Sequence, residues 1–205
     1  MVILRESPTK ASVGQTVIRT VDGGYKIASF FDIFFQMSID GGASWMPALQ
    51  PIRIYLVSSK LKIDFVVSQG WNMLSVPLTM DDYRKTNLYP TAISNAFIYA
   101  SGYVSKDTLD NGFGFWLKFP KDTTLSPVGY EISNDTIIVL AGWNMIGSIS
   151  DSVSTSSIIQ DPPNNVISSY YGYSNGYNTT TQLVPSKGYW VKVNQKGTLI
   201  LISSP

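Results

Sequence analysis

A stretch of about seventy residues that occurs twice constrains this chain more than anything else in it. Gly70-Trp71-Asn72-Met73-Leu74 returns as Gly142-Trp143-Asn144-Met145-Ile146, 72 positions later. Tyr99-Ala100-Ser101-Gly102-Tyr103 returns as Tyr173-Ser174-Asn175-Gly176-Tyr177, 74 positions on. Gly114-Phe115-Trp116-Leu117-Lys118-Phe119 returns as Gly188-Tyr189-Trp190-Val191-Lys192-Val193, again 74 on. Three blocks in one order at a nearly constant offset mark a tandem duplication, so both copies are expected to share one supersecondary unit.

The unit reads as β-structure. Apolar lead-ins (Ile63–Val67, Thr136–Leu140) enter the Gly-Trp-Asn blocks. Aromatic strands follow (Ala96–Tyr99, Ser169–Tyr173), then glycine turns, then the Gly-aromatic-Trp strands. Short β-branched and aromatic runs cut by Gly, Asn, Asp and Pro predict an all-β fold of antiparallel sandwich- or barrel-like modules. Single helical turns are expected near Asp81–Thr86 and Thr155–Gln160, the second closed by Pro162 and Pro163. The expected segments are an N-terminal β segment over 1–62, repeat 1 over 63–138 and repeat 2 over 139–205.

The N-terminal segment has no copy. Phe30–Ile39 alternates over ten residues, with Phe31, Ile33, Phe35, Met37 and Ile39 on one face, which predicts one long strand. Next comes Ser38-Ile39-Asp40-Gly41-Gly42-Ala43-Ser44-Trp45, which fits the pattern S-x-D-x-G-x-[ST]-W and resembles the Asp box of sialidase-like propellers. Ser38, Asp40, Gly42, Ser44 and Trp45 are expected to build a hairpin: the carboxylate takes turn N–H groups, the glycines bend and the indole covers. The box occurs once, in a chain too short for a six-bladed propeller, so the role read for it is structural.

Composition removes most chemistry. With no Cys and no His, disulfides, thiolate and imidazole metal sites and the Ser-His-Asp and Cys-His arrangements are excluded. Asp107, Asp110 and Asn111 lack EF-hand spacing, and Asn111-Gly112-Phe113-Gly114 lacks the Lys and helix of a phosphate loop. No cofactor and no enzyme activity are therefore expected. A net charge of +1 without a basic stripe argues against nucleic acid. No apolar run approaches the ~20 residues of a membrane helix, so no membrane insertion is expected. Residues 1–4 are too short for a signal-peptide core, which fits either a cytoplasmic protein or, the favoured reading, an exported product already processed.

Trp116 and Trp190 stand out of phase with Phe115, Leu117 and Phe119 and with Tyr189, Val191 and Val193, on the strand face of Lys118 and Lys192. That face is expected to be the wetter one. With Tyr171, Tyr173 and Tyr177 it forms a candidate contact surface, for framework packing, protein contact or stacking on a pyranose. Trp71 and Trp143, at strand starts, are expected in the core. The apolar ends, Val2, Ile3 and Leu4 and Leu199, Ile200, Leu201 and Ile202, are candidate edge strands for pairing with another copy.

The repeat resembles the Gly-Trp-Asn … Tyr-x-x-Gly-Tyr … Gly-Tyr-Trp-Val-Lys repeats near the C-termini of large secreted and cell-surface proteins of Bacteroidetes and Ignavibacteria-like bacteria. The second copy matches through Gly142–Ile146, Ile158–Pro163, Tyr171–Tyr177 and Pro185–Val193, the first through Gly70–Pro77, Phe97–Tyr103 and Gly112–Phe119. Such repeats commonly precede a type IX sorting domain, so the resemblance implies an extracellular or cell-surface protein and carries no catalytic residue. The leading expectation is a non-catalytic structural module, a filament or surface subunit whose partner is other copies of itself. The alternative is a carbohydrate-binding module whose partner is a glycan.

Overall fold

The computed structural model describes residues 2–21, 24–55 and 60–203. The chain forms two compact units, the second beginning at Lys60. Strands in antiparallel sheets make up nearly all of the regular structure, so the fold is all-β.

The first unit holds β1 (Ile3–Glu6), β2 (Val13–Val21), β3 (Gly24–Ile33), β4 (Phe35–Ser38), β5 (Met46–Pro47) and β6 (Ile52–Tyr55). They form two three-stranded sheets, β1-β4-β5 and β2-β3-β6. The single long strand expected over Phe30–Ile39 is therefore two. It breaks at Phe34, whose carbonyl accepts the Ser7 N–H at 2.8 Å, and the chain passes from one sheet into the other. Alternation survives such a handover because it records faces and says nothing of partners.

The hairpin after β4 is built as its motif requires. Asp40 Oδ1 accepts the Ser44 N–H at 3.0 Å and the Ser38 hydroxyl at 2.7 Å, and Asp40 Oδ2 accepts the Ser44 hydroxyl at 2.5 Å. Gly42 donates its N–H to Ser38 Oγ at 2.7 Å. Gly41 and Gly42 take φ of +74° and +101°, values that a side chain resists. The Arg5 guanidinium lies 3.9 Å over the Trp45 ring. The donors on the carboxylate hold Asp40 well below the usual range, the Ser44 hydroxyl contributing most.

The second unit contains two successive sets of elements. The first set is β7 (Leu61–Lys62), β8 (Phe65–Val67), β9 (Gly70–Ser75), β10 (Leu78–Thr79), α1 (Lys85–Leu88), β11 (Ala96–Tyr99), β12 (Tyr103–Lys106), β13 (Gly114–Phe119), β14 (Thr123–Leu125) and β15 (Val128–Glu131). The second is β16 (Asn134–Val139), β17 (Gly142–Ile146), β18 (Val153–Ser154), a 3₁₀ turn (Thr155–Ser157), β19 (Ile159–Asp161), β20 (Tyr170–Tyr173), β21 (Tyr177–Thr180), β22 (Gln182–Leu183), β23 (Tyr189–Val193) and β24 (Gly197–Ile202). Their main sheets have one order, β12-β11-β13-β9 and β21-β20-β23-β17. Register agrees as well: Trp116 stands opposite Met73 and Phe97, and Trp190 opposite Met145 and Tyr171.

Each four-stranded sheet packs one face on a smaller layer. In the second half that layer is β16-β24-β19. In the first half the strand matching β24 is broken into β14 and β15, with Pro127, which has no N–H to give a ladder, between them. The layers enclose separate cores, one around Leu74, Phe115, Leu117 and Phe119 and one around Ile146, Tyr189, Val191 and Leu199. Because β16 pairs with β24 along its whole length, the second half begins at Asn134 rather than at 139.

The same pairing corrects the reading of the C-terminal segment as a free edge. β24 runs between β16 and β19, Leu199 and Leu201 are fully buried, and Ile200 pairs on both sides. Its alternation is that of an interior strand. At the other end Ile3 and Leu4 pair with Ser38 and Met37, which leaves β1 an edge on its outer side.

Candidate functional site

The Gly-Trp-Asn blocks are turn-and-strand devices. Gly70 and Gly142 take φ of +93° and +96°, and the following Asn closes the bend with its amide. Asn72 donates Nδ2 to the carbonyls of Ser68 (2.8 Å) and Gly70 (3.1 Å) and accepts the Ser68 N–H (3.0 Å). Asn144 does the same with Leu140 (2.7 Å), Gly142 (3.0 Å) and the Leu140 N–H (2.9 Å). The bend sets the phase of the strand that follows. Leu74 packs in the core of its own half, so Met73 and, two residues before it, Trp71 face the other way.

The outward faces of the two main sheets cover one another. Met73, Trp116, Met145 and Trp190 form one buried cluster, with Phe97, Tyr99, Tyr171 and Tyr173 against it. Contacts are exchanged reciprocally. The Tyr99 and Trp190 rings meet edge-on at 4.9 Å between centroids, and Trp116 meets Tyr173 at 4.7 Å. Within each sheet Trp71 lies 6.0 Å from Phe97, and Trp143 6.0 Å from Tyr171, both tilted by 59°.

Backbone seals the seam. The Ser75 N–H bonds the Ser186 carbonyl at 3.0 Å, and its counterpart Gly147 bonds the Gly112 carbonyl at 2.8 Å. A Cβ on Gly114 would stand 2.7 Å from the Ile146 carbonyl oxygen, and one on Gly188 2.7 Å from that of Leu74. Only glycine permits this approach at both positions. The buried hydroxyls of Ser75 and Ser148 share a hydrogen bond of 2.9 Å across the halves.

This packing leaves two aromatic clefts. The first, about 540 Å³, is lined by Trp71, Phe97, Tyr103, Trp116, Tyr173 and Tyr177. The second, about 430 Å³, is lined by Tyr99, Tyr103, Trp143, Tyr171, Tyr177 and Trp190. Exchanging each residue for its counterpart in the other half turns one list into the other. Tyr103 and Tyr177 stand in both. Both volumes fall within the roughly 300–1,000 Å³ of ordinary ligand sites. Burial pushes the Tyr177 phenol up; Tyr103 pushes it the same way and Trp190 opposes. The Trp116 Nε1 is buried without a hydrogen-bond partner.

The expected burial of the tryptophans is inverted. Trp116 and Trp190, read as lying on the wetter face, are 9 % exposed, while Trp71 and Trp143, read as core, are 42 % and 43 % exposed. The face of Trp116 and Lys118 is wet only at its end. Lys118 and Lys192 are exposed, paired across strands with Trp71 and Trp143, and the Trp positions are covered by the opposite half. Of the expected contact residues, Trp116, Tyr171, Tyr173, Tyr177 and Trp190 come together at the clefts, while Lys118 and Lys192 do not line them. Phe97, Tyr99, Tyr103, Trp71 and Trp143 were missed as cleft residues, although the repeat pairs each with a residue of the same character.

Among the described residues no group of three or more His, Cys, Asp or Glu is placed to hold a metal ion. Asn111 is occupied, donating to the carbonyls of Val76 (2.8 Å) and Leu78 (2.9 Å) and accepting from the Tyr83 hydroxyl. No described helix is long and apolar enough to cross a membrane. Comparison with protein-family models, with curated proteins and with solved structures returns no match for this chain.

Proposed function

We propose that the chain is a non-catalytic, extracellular binding module whose second unit recognises carbohydrate through its aromatic clefts. The pair of clefts, each walled by six aromatic rings, carries this reading. A pyranose with equatorial hydroxyls presents C–H groups on its faces and hydroxyls at its rim. The C–H faces match the negative faces of indole and phenol rings, and tyrosine hydroxyls at the cleft mouth match the rim. Trp71, Trp143, Tyr103 and Tyr177 keep 42–57 % of their surface in contact with solvent, so a ligand reaches them without opening either core. The test is a glycan array with the intact chain and with the double variant Trp71→Ala/Trp143→Ala. Saturable binding that the double variant loses supports the proposal; no binding to any glycan contradicts it.

Association of copies through sheet edges is the second reading, favoured by β12 and β21. Both are outer strands of their sheets, and β12 is exposed at every residue. An outer strand with free N–H and C=O groups is a template for another. Light scattering at high concentration tests it: polymers that dissociate when Val104→Pro or Asn178→Pro is introduced support it, and a monomer contradicts it.

A further inference from the structure

The two clefts share their walls and differ in their surroundings. A groove of about 530 Å³ adjoins the first cleft at Trp71 and Tyr173, and polar side chains line it, among them Gln69, Asn175, Thr179 and Lys187. No Asp or Glu lines it. The positions that match these four around the second cleft are Ala141, Ser101, Ser105 and Phe113. Leu140 and Val104 stand there in place of Ser68 and Asn178. Leu140, Val104 and Phe113 are exposed, so the surround of the second cleft is the more apolar, with the Ser101 and Ser105 hydroxyls but none of the amides that the first opens onto.

We infer that the cleft of Trp71 and Trp116 is the saccharide site of this chain, that its ligand is an oligosaccharide extending along the polar groove, and that the matching cleft of Trp143 and Trp190 is not a second such site. The inference rests on the reading of the clefts as carbohydrate-binding. One sugar stacks between Trp71 and Tyr173, and the next units lie along the groove. Stacking on rings selects only for a flat apolar face. Discrimination among sugars requires hydrogen-bonding groups to meet the hydroxyls, since a hydroxyl desolvated without a partner costs free energy. The Gln69 and Asn175 amides and the Thr179 hydroxyl are exposed there, each able to donate and to accept. Lys187 adds a donor. Its ammonium already bonds the Val66 carbonyl at 3.2 Å, and burial pushes its pKa down.

The buried, unpartnered Trp116 Nε1 belongs to this cleft. Its equivalent on Trp190 interacts with Tyr177 instead. A ligand hydroxyl in the first cleft gives that N–H an acceptor. The second cleft, where Leu140, Val104 and Phe113 stand in place of Ser68, Asn178 and Lys187, keeps its stacked rings and the Ser101 and Ser105 hydroxyls but lacks the exposed Gln and Asn amides and the Lys donor of the first.

Calorimetric titration of the full chain with cellopentaose, xylopentaose and chitopentaose tests this. At least one is expected to bind with one site per chain. Trp71→Ala is expected to weaken binding by about tenfold or more, and Gln69→Ala/Asn175→Ala by several-fold. Trp143→Ala, equally exposed and therefore an equal burden on the fold, is expected to leave affinity within about twofold. Trp71→Phe keeps a ring and is expected to retain most of the binding, which separates stacking from folding. Two equivalent sites, or loss of binding in Trp143→Ala, overturns the inference while leaving the carbohydrate reading intact. Failure of all three probes together with a blank glycan array removes both.

Discussion

The two halves of the second unit have one strand order and one turn chemistry, yet they diverge in a regular way. The rings, methionines and close-approach glycines that meet across the seam keep their character, Met73 and Met145, Trp116 and Trp190, Tyr99 and Tyr173, Gly114 and Gly188, whereas Ser75 and Ser148, which bond across it, have Gly147 and Val76 as counterparts. Positions that serve one half alone have drifted. The first half carries α1 and a layer broken at Pro127, whereas the second carries a 3₁₀ turn and the continuous β24. Phe115 in one core is Tyr189 in the other, where its hydroxyl accepts the Val184 N–H at 2.7 Å. The mouths of the clefts have drifted furthest, with exposed amides and a lysine on one side and Leu140, Val104 and Phe113 among serines on the other. A seam between two copies of one unit resembles an isologous interface, in which each residue must suit its own counterpart's surroundings, so change there is penalised twice. A cleft mouth is penalised once, and is free to specialise.

The comparison breaks most visibly at the seam tryptophans. Trp116→Ala and Trp190→Ala are each expected to cost about 3–5 kcal/mol of stability in the second unit, and to cost the same within about 1 kcal/mol, measured by denaturant unfolding. Unequal costs would mean that the halves do not share the seam equally. Trp116→Phe sharpens the point: it is expected to cost less than Trp190→Phe, because only the Trp116 N–H is buried without a partner.

Smaller but more specific effects attend the glycines. Gly114→Ala and Gly188→Ala each place a methyl 2.7 Å from a backbone carbonyl oxygen of the other half. Each is expected to destabilise by about 1–3 kcal/mol. Gly102→Ala, whose Cβ meets nothing within 4 Å, serves as the control and is expected to change little.

The turn amides come next. Asn72→Ala and Asn144→Ala each remove three hydrogen bonds at one bend and are expected to cost about 1–2 kcal/mol. Asn72, the more buried of the two, stands at the upper end.

The smallest effect falls in the first unit. The Asp40 pKa is depressed in the folded chain, so its contribution is present above the unfolded value near 4 and fades as pH falls below it. Acid melting of the intact chain between pH 5 and 2 is expected to show a loss of first-unit stability that Asp40→Asn lacks. Identical acid profiles would contradict that role.

Much of this architecture is legible in the residues. The duplication is plain because three blocks keep their order, and β-structure is plain because aromatic and β-branched runs are cut by Gly and Asn. The hairpin at Asp40 is local and self-contained, so its motif is enough to build it. What escapes is the question of what covers a face. Alternation in Gly114–Phe119 separates Trp116 from Phe115 but cannot tell that the Trp116 face meets a second copy. With both faces covered, the strand is buried at every position except Lys118. Trp71 escapes for a related reason: its face follows from the bend that Gly70 and Asn72 make, and that bend puts it in phase with Met73 and opposite Lys118. Leu199–Ile202 looks like a free apolar end because position in the chain says nothing of position in the sheet.

One spectrum tests the central claim that two like clefts are not equal. The chain has five tryptophans, so its ¹H–¹⁵N spectrum carries five indole signals, each assignable by single Trp→Phe substitution. Whichever of cellopentaose, xylopentaose or chitopentaose binds is titrated in. The expected result is that the Trp71 and Trp116 indoles shift most, while those of Trp143 and Trp45 stay in place. Shifts of equal size at both pairs, or at Trp143 and Trp190 alone, would contradict it.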